Sequence, residues 1–301
     1  MSRIAVIAHS GKSIEGGLPE LRRTLARHSV VDPLWAEVPK SRKAPKHVRR
    51  LLEQGAEHFV VWGGDGMAQR CIDTLAGTGN TMAIVPAGTA NLLASNLGIP
   101  KDIEGAVETA LHGVDRTIDV ASMNGERFAV MAGAGFDADM IGGADGGLKD
   151  RLGRAAYLWT GAKSMRTPSF KASIRVEGMP WYDGPASCIL AGNMGALFGG
   201  VEVFADAQPD DGRLDIAVIT AEGVAEWTRA VARTIAGRPE RSPFFRVTTG
   251  RKVKVKLNRK VPYELDGGAR TKAKSYRLEV EPGAITVRIP ASTNGNGGSQ
   301  A

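Results

Sequence analysis

Residues 59–100, FVVWGGDGMAQRCIDTLAGTGNTMAIVPAGTANLLASNLGIP, hold two apolar runs that each end in a glycine-bearing turn and pass directly into a helical pattern. Phe59–Trp62 is short and β-rich, and it stops at Gly63-Gly64-Asp65-Gly66, where side chains vanish and positive φ becomes affordable. Thr81–Val85 repeats the scheme and ends at Pro86-Ala87-Gly88-Thr89. Ala90–Leu97 then reads as a helix stopped by Gly98 and Pro100. Two such units side by side imply a parallel sheet, and each turn aims backbone N–H groups at the space beyond a strand's carboxyl end. A nest of N–H groups there suits phosphate. Glycine also serves a plain tight connection, so one turn alone decides nothing. Asp65 among phosphate-binding N–H groups would repel phosphate unless a cation sits between them, and a magnesium nucleotide supplies one.

Outward from these units, Arg3–Ala8 reads as a strand and His9-Ser10-Gly11-Lys12-Ser13 as the loop after it. Gly11-Lys12-Ser13 is not a P-loop, because that motif needs a glycine five positions before Gly11 and Val6 stands there. Pro19–His28, Ala44–Gln54 and Ile103–Leu111 read as helices, Val30–Trp35 as a strand, and Arg116–Ala121 as a strand carrying Asp119. The strand-helix alternation predicts a doubly wound parallel sheet. From about residue 121 the texture changes to short β-rich runs between Gly, Pro and Asp turns, starting with the hairpin signal Asn124-Gly125. Strands are expected at Phe170–Val176, Ala186–Ala191, Arg213–Thr220, Lys252–Leu257, Val261–Leu265, Tyr276–Val280 and Ile285–Ile289, with helices at Leu152–Met165 and Gly223–Ile235. Gly133 to Ala138 matches the loose dinucleotide fingerprint but follows a hairpin rather than opening a βαβ unit. The fold class is therefore α/β. An N-terminal doubly wound parallel-sheet nucleotide-binding domain spans 1–120, a mainly antiparallel β-sandwich domain spans 121–290, and a disordered tail spans 291–301.

A chain of 301 residues can bury two such cores. Its 39 Lys and Arg exceed its 32 Asp and Glu by a net charge of +7, which suits an acidic partner. No recognition helix or aromatic single-strand pattern accompanies that charge, so nucleic acid is not expected, and a peripheral contact with an anionic membrane fits better. No run is long enough to cross a membrane, and residues 1–8 read as a first strand rather than a signal peptide, which predicts a cytoplasmic protein. Cys71 and Cys188 sit in apolar segments and read as core. The five histidines, His9, His28, His47, His58 and His112, show no paired spacing, so no zinc site is expected.

GGDGM followed by PAGTANLLASNLGIP resembles the diacylglycerol-kinase catalytic domain of bacterial lipid kinases, a family that includes sphingosine and ceramide kinases and is related to NAD kinases through the GGDG turn. The resemblance extends to Ala191-Gly192-Asn193, to Gly199-Gly200, to Ala207–Asp215 (AQPDDGRLD) and to Leu265-Asp266-Gly267-Gly268. It implies ATP as phosphoryl donor with Mg2+ and a lipid alcohol such as diacylglycerol as acceptor, and makes Asp266 the general base. Gly11, Lys12, Gly63, Gly64, Gly66, Gly88, Thr89 and Asn91 would then hold the nucleotide, Asp65 would act through magnesium, Asp119 would belong to the polar network around the metal, and Asp211 would ligate a structural magnesium. From the residues alone, Lys12 is an exposed loop lysine, Asp119 a strand-end aspartate, Asp211 part of a type I turn, and Asp266-Gly267 a hairpin turn.

Three positions depart from the family pattern: Met67 after GGDG, Leu92 after Asn91, and Gly268 where the family has the glutamate of Asp-Gly-Glu. Loss of one positioned group commonly costs powers of ten in rate. Two readings follow, an ATP-dependent lipid kinase with a compensating carboxylate elsewhere, and a weak or inactive homologue that binds nucleotide or lipid as a regulatory protein. Lipid specificity is expected from an apolar groove in the β-domain, and an open strand edge would allow a homodimer.

Overall fold

The computed structural model describes residues 3–135, 169–197, 201–223, 226, 229 and 242–291. The expected helix Leu152–Met165, nearly all of Gly223–Ile235, Gly199-Gly200, Phe136–Ala138 and the tail from Ser292 lie outside them.

The apolar runs of the first half form β1 (Ile4–His9), β2 (Leu34–Val38), β3 (His58–Gly63) and β4 (Thr81–Pro86), paired in parallel in the order β2-β1-β3-β4. Every residue of β3 is buried, as a strand covered on both faces requires. The helices α1 (Gly17–Arg27), α2 (Ala44–Glu53), α3 (Asp65–Leu75), α4 (Leu92–Asn96) and α5 (Ile103–His112) follow, with α1 packed on α5 and α2 on α3. β2 begins at Leu34 instead of Val30, directly after Pro33, which has no N–H for the ladder; Val31 is exposed. α4 starts at Leu92 and not Ala90, because Asn91 takes a left-handed conformation, φ 48°.

The second half is antiparallel, in the order β14 (Phe245–Gly250), β13 (Leu214–Ile219), β10 (Cys188–Gly192), β7 (Met131–Ala134), β15 (Lys252–Leu265) and β16 (Gly268–Ile289). β5 (Val114–Met123) with β6 (Glu126–Phe128) joins β16, and β8 (Phe170–Val176) with β9 (Met179–Ala186) joins β15. A small separate ladder joins β11 (Ala196–Leu197) to β12 (Val201–Glu202). Four expected strands are in fact two. Lys252–Leu257 and Val261–Leu265 are one strand with register shifts after Lys256, and Tyr276–Val280 and Ile285–Ile289 are one strand shifted after Glu281, where Gly283 has φ 58°. The turn-like residues mark bulges, which bend a strand without reversing it.

Both halves share one 14-stranded sheet, because Thr286 and Val287 of β16 pair in parallel with Thr81 and Met82 of β4. Residue 120, where the sequence texture changes, lies inside β5. One apolar core fills the parallel half and reaches Met131 and Leu190, and a second, including Phe128, Val255 and Tyr276, lies inside the antiparallel half. Cys71 and Cys188 are free and buried, and burial pushes the Cys71 thiol up to about 12.

Candidate active site

The two glycine turns touch. A Cβ on Gly88 would lie 2.4 Å from Cα of Gly64, and one on Gly64 would lie 2.9 Å from Cα of Gly88. None of Gly63, Gly64, Gly66 or Gly88 has positive φ, and Gly63, Gly64 and Gly88 are required by contact and not by the left-handed backbone expected above. The left-handed residue is Asn91. Its buried side chain accepts from the Gly88 N–H at 2.9 Å and donates to the carbonyls of Gly88 (2.9 Å) and Pro86 (3.4 Å), which locks the second turn. Asp65, the first residue of α3, reaches across and accepts from the Leu93 N–H at 3.3 Å. Burial raises its carboxyl, and N–H groups of Leu93, Leu92, Asp65 and Asn91 oppose the rise.

Gly66 differs from its neighbours. A Cβ there would meet nothing closer than Oγ of Ser41 at 3.8 Å, so no contact within the chain explains the missing side chain. That open space in the first turn of α3 is where an outside group can approach backbone N–H groups. Gly11 and Lys12 follow β1. The Gly11 N–H donates to Nδ1 of His9 at 3.1 Å, the Lys12 carbonyl accepts from Nε1 of Trp62 at 3.1 Å, and the Lys12 side chain is exposed.

Asp266 and Gly267, with φ 45° and 76°, form the tight turn between β15 and β16, so the hairpin reading holds. The carboxylate is nonetheless 4% exposed and accepts N–H bonds from Ala129, Val130 and Met131, each at 2.9 Å. Those bonds favour the anion, yet burial outweighs them, and with the nearby Asp65 charge it holds Asp266 up at about 6. That coupling places Asp65 and Asp266 in one electrostatic neighbourhood.

Sequence reasoning missed a third carboxyl. Glu264, two residues before Asp266, is 2% exposed with neither oxygen hydrogen-bonded, and burial plus the Asp266 charge push it up to about 8. Burial and that neighbouring charge favour its protonated form. The only sequence signal was an acidic residue in the otherwise uncharged run Val261–Leu265. Gly268 is also explained in part: a Cβ there would lie 2.7 Å from Nη1 of Arg270. Arg270 donates to both oxygens of Glu126 at 2.8 and 2.5 Å, and Glu126 is bound by Arg70 at 2.9 Å and Gln69 at 3.3 Å. Where the family pattern puts a carboxylate, a guanidinium neutralised by Glu126 ties β16 to α3.

Asp119 and Asp211 lie together, apart from that group. Asp119 is 2% exposed and accepts from Gly212 N–H at 2.6 Å and Gly283 N–H at 2.7 Å, fastening the aspartate-rich turn to the bulge of β16. Asp211 is exposed and accepts from the Arg213 N–H at 2.8 Å. Both line an open cleft of about 530 Å³ with Asp210 and Arg251. Asp65 is not among its lining residues, so the three aspartates expected around metal fall into two places. The exposed Asp211 offers the hard oxygen that Mg2+ takes, and so does the half-buried Asp65.

The chain matches two family models, the diacylglycerol kinase catalytic domain over residues 3–123 and the YegS C-terminal NAD kinase beta sandwich-like domain over residues 130–289. Among curated proteins it is 32% identical over 251 residues to "Probable lipid kinase YegS-like" of Klebsiella pneumoniae, covering 82% of each chain. It is 29% identical to "Diacylglycerol kinase" of Bacillus subtilis, covering 69% of this chain and 70% of that one. Its fold is shared with a crystal structure of a diacylglycerol kinase from Bacillus anthracis, at a TM-score of 0.74 and 20% identity over 96% of this chain and 97% of that one.

Proposed function

We propose that this chain, which belongs to the lipid kinase family built on the diacylglycerol kinase catalytic domain, transfers the γ-phosphate of ATP to the hydroxyl of diacylglycerol or a similar long-chain lipid alcohol. The observation that carries this reading is the Asp266 carboxylate, buried, held by the N–H groups of Ala129, Val130 and Met131 and within reach of the Asp65 charge, where burial raises it toward the range in which a general base works. The lipid O–H loses its proton to a carboxylate oxygen of Asp266 as its oxygen attacks the γ-phosphorus, and ADP leaves. The paired turns at Gly63–Gly66 and Gly88–Asn91 hold the phosphates, with Gly66 giving backbone access and Lys12 adding charge from the β1 loop. Asp65 would hold Mg2+, which would neutralise charge on the transferring group. Asp211, on the Asp119-fastened turn, would hold a second, structural magnesium.

No described helix is long and apolar enough to cross a membrane, and the +7 charge supports a cytoplasmic enzyme working peripherally on anionic lipid, without nucleic acid. β2 ends the described sheet path and is an edge through which a homodimer would pair. Gly268, standing where the family pattern has a glutamate, favours a second reading, a catalytically weak or inactive homologue that binds nucleotide or lipid as a regulatory protein.

Transfer of labelled γ-phosphate from MgATP into a bacterial lipid extract separates the two. The kinase reading expects a labelled lipid from the native protein, and none from Asp65→Ala or Asp266→Asn. ATP binding without any labelled lipid replaces it with the regulatory reading. Gly66→Ala sharpens the result, since the added methyl meets no protein atom closer than 3.8 Å: the protein folds, and its ATP affinity falls.

A further inference from the structure

His28 and His112 are 84 positions apart, which is why no histidine pair is visible in the sequence. The fold brings them together. His28 caps the C-terminal end of α1, and α5 presents Glu104, Glu108 and His112 at successive i, i+4 positions. Nδ1 of His28 lies 3.4 Å from Nε2 of His112 and 3.6 Å from an oxygen of Glu108. All three ligand atoms lie within 4.8 Å of one another, and no other three His, Cys, Asp or Glu side chains do so among the described residues.

We propose that His28, Glu108 and His112 form a site for a divalent transition-metal ion, Zn2+ by its ligand chemistry, that clips α1 to α5. Zn2+ holds imidazole nitrogen and carboxylate oxygen at about 2.0–2.2 Å in a tetrahedron, whose edges are then roughly 3.3–3.6 Å. The two short separations at His28 are such edges. The outer shell is also in place: Nε2 of His28 faces Oε1 of Glu104 at 3.0 Å, and Nη2 of Arg27 holds the other Glu104 oxygen at 2.5 Å. With the proton on Nε2, the lone pair of Nδ1 points to His112 and Glu108, the carboxylate–histidine arrangement that orients metal ligands. Two helix C-termini converge here, and their partial negative charge favours a cation. Two nitrogens and one oxygen suit Zn2+ rather than Mg2+ or Ca2+, which take all-oxygen sets. Three protein ligands leave a fourth position for water.

Ion pairing alone accounts for the contacts of Glu104 and Glu108. The two imidazole nitrogens 3.4 Å apart share either a proton, as an N–H···N hydrogen bond, or a metal ion, and titration with metal decides between them. The eleven residues of α1 span about 16 Å and separate the site from the loop of Gly11 and Lys12, so the ion acts on the scaffold and not on phosphoryl transfer.

The test uses tag-free, chelator-stripped full-length protein titrated with Zn2+, and with Co2+ as a coloured substitute, in excess Mg2+ to fill oxygen sites. One equivalent binds, Co2+ gives the intense visible bands of a tetrahedral site, and the melting temperature rises on metal addition. His112→Ala and His28→Ala each abolish the bands while leaving the circular dichroism and any phosphoryl transfer unchanged. Glu104→Gln keeps all three ligands and weakens Zn2+ about 10–100-fold. Binding that is equal in the native protein and the His28→Ala/His112→Ala double variant overturns the proposal, as does the absence of a tetrahedral Co2+ spectrum from the native protein.

Discussion

Asp119 and Asp266 are nearly equal in burial, at 2% and 4% exposed, and each carboxylate accepts backbone N–H groups from a neighbouring loop. Their surroundings differ. Asp119 faces the open cleft of the aspartate-rich turn, with Arg213 and Arg251 among its walls. Asp266 is buried near the unpartnered acid Glu264 and feels the charge of Asp65, and no cation among the described residues hydrogen-bonds or ion-pairs with it. Similar hydrogen bonding therefore accompanies a fastening in one region and, on the proposed reading, a proton acceptor in the other. What separates the roles is the neighbouring charge and the exclusion of water.

The comparison breaks most sharply at Asp266→Asn. Loss of the general base lowers phosphoryl transfer by about 10²–10⁴-fold, measured as kcat/KM on purified folded protein. An equal loss per folded molecule in Asp119→Asn would erase the distinction. In the native enzyme the base must be ionised, so activity falls about tenfold per pH unit below about 6 and levels off above it.

Glu264→Gln gives the next largest effect, and it depends on pH. The folded carboxyl is raised to about 8 while the unfolded chain titrates near the ordinary 4.5. Between those values the unfolded state has lost a proton that the folded state keeps, so the contribution of Glu264 to stability is full below pH 4.5 and is lost as pH rises to about 8. Glutamine abolishes that decline. The variant gains on the native protein by on the order of a few kcal/mol across this window, read as the difference of urea midpoints against pH. Parallel curves would mean that Glu264 is solvated or paired.

Asp119→Asn comes third. One amide NH2 must face an N–H of Gly212 or Gly283, which leaves a buried donor unsatisfied and costs about 1–3 kcal/mol in urea unfolding. Asn91→Ala is the smallest, about 1–2 kcal/mol from the lost turn bonds and the strained φ, with ATP affinity reduced because the second turn loosens.

Much of the parallel half is legible from the chain because its strands and helices are contiguous periodic runs ended by Gly and Pro, and β3 and α5 fall within a residue or two of their expected bounds. The two glycine turns are visible, but their reason is not. Contact between Gly64 and Gly88 is tertiary, and a single sequence offers positive φ as the nearer explanation. β15 and β16 read as four strands because residues 258–260 and 281–284 are turn formers, and pairing through a bulge leaves no local mark. Asp266 is legible through its motif. Glu264 is not, since its pairing with Gly133 and its lack of partners depend on β7 lying beside it. Asp119 and Asp211 read as single acids, and only the fold shows that they line one cleft.

β4 finds one neighbour at once in β3, while its other neighbour is the far end of β16. During synthesis that neighbour emerges about 200 residues later, roughly 10–40 s at ordinary translation rates. Throughout that interval the edge of β4 is an unpaired, apolar template of the kind chaperones cover. A chain ended after residue 123 would keep both glycine turns and never close that edge. Nascent chains cut there should therefore aggregate or stay chaperone-bound, and release should come only once Thr286 and Val287 have cleared the ribosome.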